Sequence, residues 1–166
     1  MKSDQSLKML PNNLLHFPRL GLFILAAALL LMLPVTASAE YVSVQRDKVN
    51  IRSGPGTDHE IVWEVFRGYP LRITQRQGNW ARVVDFEDDP GWIYTPLVGA
   101  DKRVIVRVDV ANMRKGPGTD YEVQAKVNYG VIFEPLERRQ NWIRLRHNDG
   151  TTGWISANLL WPDDII

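Results

Sequence analysis

Asp58 and Glu60 stand two apart in the chain, and Asp120 and Glu122 repeat the pair, so acid–base chemistry is the first possibility to weigh. Both pairs follow a Gly-Pro-Gly segment, however. On such a turn an aspartate bonded to nearby backbone is far the commoner arrangement. Beyond the first forty residues the histidines are His59 and His147, at non-equivalent places and without a metal-ligand spacing. The chain has no cysteine, which removes a thiolate nucleophile, a thiolate metal site and any disulfide framework. No Ser–His–Asp order is recognisable. The acidic run Glu87-Asp88-Asp89 lacks the alternating oxygen ligands of a calcium loop and marks a hairpin tip. The expectation is a protein that is not an enzyme, with no cofactor and no metal.

Tryptophan and arginine offer a different chemistry, that of holding a ligand. In Trp80-Ala81-Arg82-Val83-Val84, strand alternation puts Trp80 and Arg82 on one face, Ala81 and Val83 on the other. Later in the chain Trp142, Arg144 and Arg146 share a face opposite Ile143 and Leu145. The aliphatic face must be the core, so the indoles and guanidiniums point outward. Trp92 and Tyr94 alternate with Ile93 and join them; Trp154 alternates with Ile155. Outward indoles rimmed by charge can form a shallow aromatic groove. Equally, the rings can be covered by the Gly-Pro-Gly loop and merely close a barrel.

The elements that must position these residues occur twice. Asn50-Ile51-Arg52-Ser53-Gly54-Pro55-Gly56-Thr57-Asp58-His59-Glu60 returns as Asn112-Met113-Arg114-Lys115-Gly116-Pro117-Gly118-Thr119-Asp120-Tyr121-Glu122, displaced by 62 positions. The same displacement carries Asn79-Trp80 onto Asn141-Trp142 and Gly91-Trp92-Ile93 onto Gly153-Trp154-Ile155. Three matches at one offset define a duplicated unit of about sixty residues. Within each unit, short alternating runs such as Ile61 to Val65, Leu71 to Thr74 and Trp80 to Val84 are bounded by Gly, Pro, Asn or Asp, the pattern of a small all-β barrel. No stretch beyond residue 40 keeps a helical apolar period. In the repeated loop, Gly54 and Gly56 are expected to supply positive φ around a rigid Pro55, with Thr57 and Asp58 closing the turn on backbone amides. The connection between units, about Val98 to Lys102, is short enough to hold the barrels close.

Residues 1–39 carry the marks of a signal peptide. Lys2, Lys8 and Arg19 precede an apolar run from Leu20 to Leu33, then Pro34 and the small-x-small end Ala37-Ser38-Ala39 before Glu40. At 1.5 Å per residue the run reaches about 21 Å, short of the roughly 30 Å hydrocarbon core. Contact with a membrane is expected only through this segment, if it stays uncleaved. Without it the chain holds 17 basic and 18 acidic residues. Residues 40–99 carry 7 bases and 9 acids, and 100–162 carry 10 and 7. The second unit is mildly basic, far short of a nucleic-acid footprint.

The combined motifs, Asn-x-Arg-x-Gly-Pro-Gly-Thr-Asp-x-Glu, Asn-Trp, and Gly-Trp-Ile followed by Leu97 or Leu159, resemble the bacterial SH3-like (SH3b) domain family over residues 41–161. The resemblance implies two tandem, partly open SH3-like barrels of five or six strands, residues 40–99 and 100–162, with 163–166 as a tail. It also implies an exported module, periplasmic or secreted, of the kind that binds cell-wall peptide or glycan or accompanies cell-wall hydrolases. By analogy with SH3 folds the groove would use Trp80 and Trp92, with Trp142 and Trp154 in the second unit. The chain lacks the Ala-Leu-Tyr-Asp-Tyr-like segment of eukaryotic SH3 domains. Two partner classes follow: peptidoglycan or another envelope polymer, held by Trp80, Arg82, Trp92, Tyr94, Trp142, Arg144, Arg146 and Trp154, or an envelope protein on which the chain docks as an adaptor. N-terminal sequencing of the exported protein is expected to begin at Glu40; a start at Met1 would refute cleavage after Ala39.

Overall fold

A computed structural model describes residues 39–166; the expected signal segment before Ala39 lies outside the described residues. Residues 40–99 form an antiparallel sheet of β1 (Glu40–Val44), β2 (Val49–Arg52), β3 (Ile61–Val65), β4 (Pro70–Gln77), β5 (Trp80–Val84), β6 (Pro90–Tyr94) and β7 (Val98–Gly99), in the order β3-β2-β6-β5-β4-β1-β7. The second sheet repeats it with β8 (Val104–Val106), β9 (Val110–Arg114), β10 (Val123–Asn128), β11 (Ile132–Arg139), β12 (Trp142–Arg146), β13 (Thr152–Ser156) and β14 (Leu160–Trp161), in the order β10-β9-β13-β12-β11-β8-β14. The structure is therefore all-β, as two tandem small barrels. Seven strands replace the five or six expected because β7 and β14 return, after single 3-10 turns, to pair with β1 and β8. That pairing also absorbs Val98 and Gly99 from the expected connection.

The two cores are duplicates. Val42, Val44, Val49, Ile51, Val65, Leu71, Ala81, Val83 and Ile93 fill the first. Each has its counterpart 62 positions on in the second, which adds Ala157 and Leu160. Substitutions trade volume: Ala81 becomes Ile143 and Val83 becomes Leu145, while Val49 becomes Ala111. The gains exceed the loss, so at the matched positions the second core holds more side-chain volume than the first. Ile165 and Ile166 of the tail pack against the second core, and Arg138 donates to the Asp163 carbonyl.

The repeated loop closes differently from expectation. Gly54, Gly56, Gly116 and Gly118 are not among the glycines with positive φ. Glycine is needed there because a ring lies on the backbone: a Cβ on Gly54 would stand 2.5 Å from the His59 imidazole, and one on Gly116 would stand 2.3 Å from the Tyr121 ring. Nor do Thr57 and Asp58 side chains close the turn. Arg52 Nη1 donates to the carbonyls of Thr57 at 3.0 Å and His59 at 2.7 Å. Arg114 does the same to Thr119 at 2.8 Å and Tyr121 at 2.7 Å. Positive φ is used instead at the β4–β5 turn, by Gly78 (φ 56°), where the second copy places Gln140 (φ 52°).

The hairpin tip between β5 and β6 is organised by Asp85, which is buried. Its carboxylate accepts the amides of Glu87 at 2.9 Å and Asp89 at 3.0 Å, and the Tyr69 hydroxyl at 3.0 Å. Burial, then the adjacent Asp85 charge, pushes the Tyr69 phenol well above its ordinary range. Asp85, Glu87 and Asp89 bring carboxylate oxygens within 4.8 Å of one another, but the tip's own donors occupy Asp85.

The described residues form one compact unit, and aromatic rings join its barrels. Phe86 lies 5.3 Å from Tyr129 between ring centroids, the Tyr129 hydroxyl donates to Glu87, and Tyr41 meets Trp161 edge-on at 5.5 Å. Glycine also permits close packing beneath the sheet. A Cβ on Gly91 would stand 2.2 Å from Ile51 Cγ2, and one on Gly153 would stand 2.3 Å from Met113 Cγ and 2.1 Å from Gln124 Nε2. Ile51 is β-branched and fully buried, whereas the Met113 and Gln124 chains can swing. Gly91→Ala is thus expected to cost about 1–3 kcal/mol by overpacking and Gly153→Ala less, measured as urea midpoints of the two variants.

Candidate functional site

The outer face of β5 and β6 is set by inward Ala81, Val83 and Ile93, all with no exposed surface. The alternation then forces Trp80, Arg82, Trp92 and Tyr94 outward, as expected. Register places Trp80 opposite Tyr94 and Arg82 opposite Trp92, with Arg52 of β2 on the other side of Trp92. Trp80 and Tyr94 form a tilted pair, centroids 5.6 Å apart at 55°. They make one wall of a cleft of about 790 Å³ that runs between the 46–50 segment and the Gly-Pro-Gly loop. Arg46, Lys48 and Asp58 rim it. Tyr94 is 38% exposed and Trp80 half-buried, so the platform is open. Arg82 and Trp92 share the face but do not line this cleft.

The second barrel assembles the same backbone with a different surface. Trp142 is half-buried, but Ser156 stands opposite it where the first barrel has Tyr94. Asn141 donates to the Ser156 hydroxyl at 3.1 Å and ties that position down. Trp154, expected in an open groove, is buried, with 6% of its surface exposed. The Arg139 guanidinium lies over its ring at 5.4 Å from the centroid, and Glu137 fixes Arg139 through a 2.6 Å bond to Nε. Gln77 occupies the corresponding place in the first barrel, where Trp92 stays half-buried. Arg146 was also expected to be free for a ligand carboxylate. Instead it grips Glu134, with Nη2 at 2.9 Å and 2.8 Å from the two oxygens. Arg82 and Arg144 remain exposed, outside the ion pairs among the described residues. Arg144 and Trp154 line a smaller cleft of about 420 Å³ with Lys115 and Arg139.

Three contributors, Arg46, Lys48 and Arg52, are not found by the sequence reading. Arg46 and Lys48 carried no motif, although their replacement by Val108 and Val110 in the other repeat was visible. Arg52 belonged to the motif, yet its service to the loop carbonyls emerges only when the chain folds back.

The same small barrel with the same Gly-Pro-Gly loop thus occurs twice in the chain. The family model described as "Bacterial SH3 domain" matches residues 45–99 and 107–162, and the chain belongs to that family. Among curated proteins it is similar to "Putative N-acetylmuramoyl-L-alanine amidase YrvJ" of Bacillus subtilis (strain 168), 29% identical over 134 residues, 74% of this chain and 26% of that protein. It is also similar to "Probable cell wall amidase LytH" of Staphylococcus epidermidis, 30% identical over 76 residues, 43% of this chain and 26% of the relative. The chain thus spans about a quarter of the length of these relatives. A solved structure, NlpC2 from Trichomonas vaginalis, aligns over 74% of this chain and 48% of its own at 15% identity, with a TM-score of 0.34 that carries no argument.

Removing the cover over Trp154 should show in its solvent access. Arg139→Ala is expected to raise acrylamide quenching of the tryptophan emission, whereas Gln77→Ala at the matching place in the first barrel leaves it unchanged. Equal quenching of wild type and Arg139→Ala would show that the guanidinium does not seal the ring.

Proposed function

We propose that this chain is an exported binding module that recognises peptidoglycan or another cell-envelope polymer and performs no catalytic step. The observation that carries the reading is the open Trp80–Tyr94 platform in a cleft of about 790 Å³. Aromatic faces hold sugar rings or apolar peptide side chains by stacking, and adjacent cations meet carboxylates. Similarity to proteins named as cell wall amidases, over about a quarter of their length, fits a wall-binding portion. It also supports an address outside the cytoplasm, periplasmic or secreted.

A protein-interaction adaptor, docking on an envelope enzyme, is the second reading. It is favoured by Ile61 and Val62, about half exposed on β3 at the edge of the first sheet, where unpaired backbone can accept another strand.

Sedimentation with purified sacculi separates the two. Wild-type protein lacking residues 1–39 is expected in the pellet, and Trp80→Ala is expected to weaken retention about tenfold, the loss usual for an aromatic anchor. Protein that stays in the supernatant, and instead co-purifies with one stoichiometric partner after wall digestion, would establish the adaptor.

A further inference from the structure

The cleft of the first barrel can be compared with the matching place on the second, residue by residue, through the 62-position displacement. Asn50, Arg52, Thr57, Asp58, Trp80 and Leu97 of the first recur as Asn112, Arg114, Thr119, Asp120, Trp142 and Leu159. Four positions do not recur; one is the core exchange of Val49 for Ala111, and the other three change the surface. Arg46, Lys48 and Tyr94 become Val108, Val110 and Ser156, so the second barrel loses two charges and one ring from the same place.

The backbone differs with them. Lys48 has φ 57°, in the left-handed region, and ends the turn after β1 with its side chain exposed. Val110 instead opens strand β9, since a β-branched residue is a poor occupant of positive φ. Val108 packs half-buried against the second core. On the first barrel, Arg46 and Lys48 stand outside the ion pairs among the described residues. The neighbouring Asp47 carboxylate already accepts the Arg67 amide at 3.0 Å. The lining of the Trp80–Tyr94 cleft thus sets Arg46, Lys48 and Arg52 against Asp47 and Asp58, and Arg46 and Lys48 are the cations outside any ion pair among the described residues that a ligand can meet.

From these differences we infer that the repeats are not interchangeable: the first barrel alone grips the polymer, and it selects an anionic segment. The segment lays a sugar or apolar face on Trp80 and Tyr94 and reaches Arg46 and Lys48 with a carboxylate. This rests on the wall-binding reading and adds the chemistry and number of its sites. The carboxylate can come from a wall peptide or from an acidic sugar; the shared chemistry is an anion beside a stacking face.

Titration calorimetry tests it, using disaccharide-peptides released from sacculi by a muramidase, peptide-free glycan strands, and glycan-free peptides as separate probes. Wild type is expected to bind one disaccharide-peptide per chain. Arg46→Gln/Lys48→Gln is expected to weaken binding about tenfold and to flatten its dependence on salt, because exposed charge attraction is screened. Glutamine is chosen over valine because of the positive φ at residue 48. Tyr94→Ser, the residue of the other repeat, should also lose about tenfold, and Trp142→Ala less than twofold. Unchanged thermal midpoints certify that the variants fold. Which single-component probe retains binding identifies the source of the carboxylate, and either result supports the inference if Arg46→Gln/Lys48→Gln abolishes the salt response. Two ligands per chain, equal losses from Trp142→Ala and Tyr94→Ser, or full affinity in the charge variant would overturn it. No binding of any probe, together with no retention on sacculi, would remove the wall-binding reading itself.

Discussion

Each barrel of about sixty residues is built on a small apolar interior from which strand alternation keeps the indoles out. Nine aliphatic side chains fill the first core, and their nine counterparts, with two more, fill the second; neither buried cluster contains a tryptophan. Small domains bury a low fraction of their surface, so every core position must go to a side chain that packs without a polar atom. Trp63 tests that limit from the margin: it is partly buried against the first core, with its Nε1 unpartnered. The other indoles lie on the outer face or at the junction, where they can meet a ligand, another ring, or a covering residue.

Which of those fates a ring meets depends on the loops. Arg52 and Arg114 each tie two carbonyls of the Gly-Pro-Gly loop to the end of a central strand, and charge-assisted bonds of this kind are stronger than neutral ones. The loop becomes a stiff bank instead of a swinging flap. In the first barrel it faces the 46–50 segment across an open cleft. The second presents the same bank, but Arg139 reaches over Trp154 and closes the face that Gln77 leaves accessible in the other copy.

Some departures from the repeat fall where the copies do different work. Phe86 and Glu87 are replaced by Asn148 and Asp149, and Tyr129 stands where the first copy has Arg67. Those residues make the junction, with the Glu87 bond and its charge raising the Tyr129 phenol to about 12. Tyr41 and Trp161, the other contact, correspond to Arg103 and Gly99. A head-to-tail duplication joins opposite sides of its two copies, so each copy uses only one of the two joining faces and the unused one is free to diverge. The core, which both copies need alike, keeps its positions.

Strand alternation made the inward and outward faces legible before any coordinate. Ala81 and Val83 against Trp80 and Arg82 left one arrangement in which the apolar side is dry, and the duplicated Gly-Pro-Gly phrase gave the number of barrels. Those are local properties, carried by neighbours in the chain. Trp154 was misjudged because its cover comes from Arg139, fifteen positions away on another strand. Arg146 was misjudged because Glu134 waits across β11 and β12. Gly54 and Gly116 were assigned to φ when the true constraint was a ring, His59 or Tyr121, lying on the backbone. Exposure, pairing and the openness of a cleft depend on what arrives from elsewhere in the chain, and only the folded chain decides that.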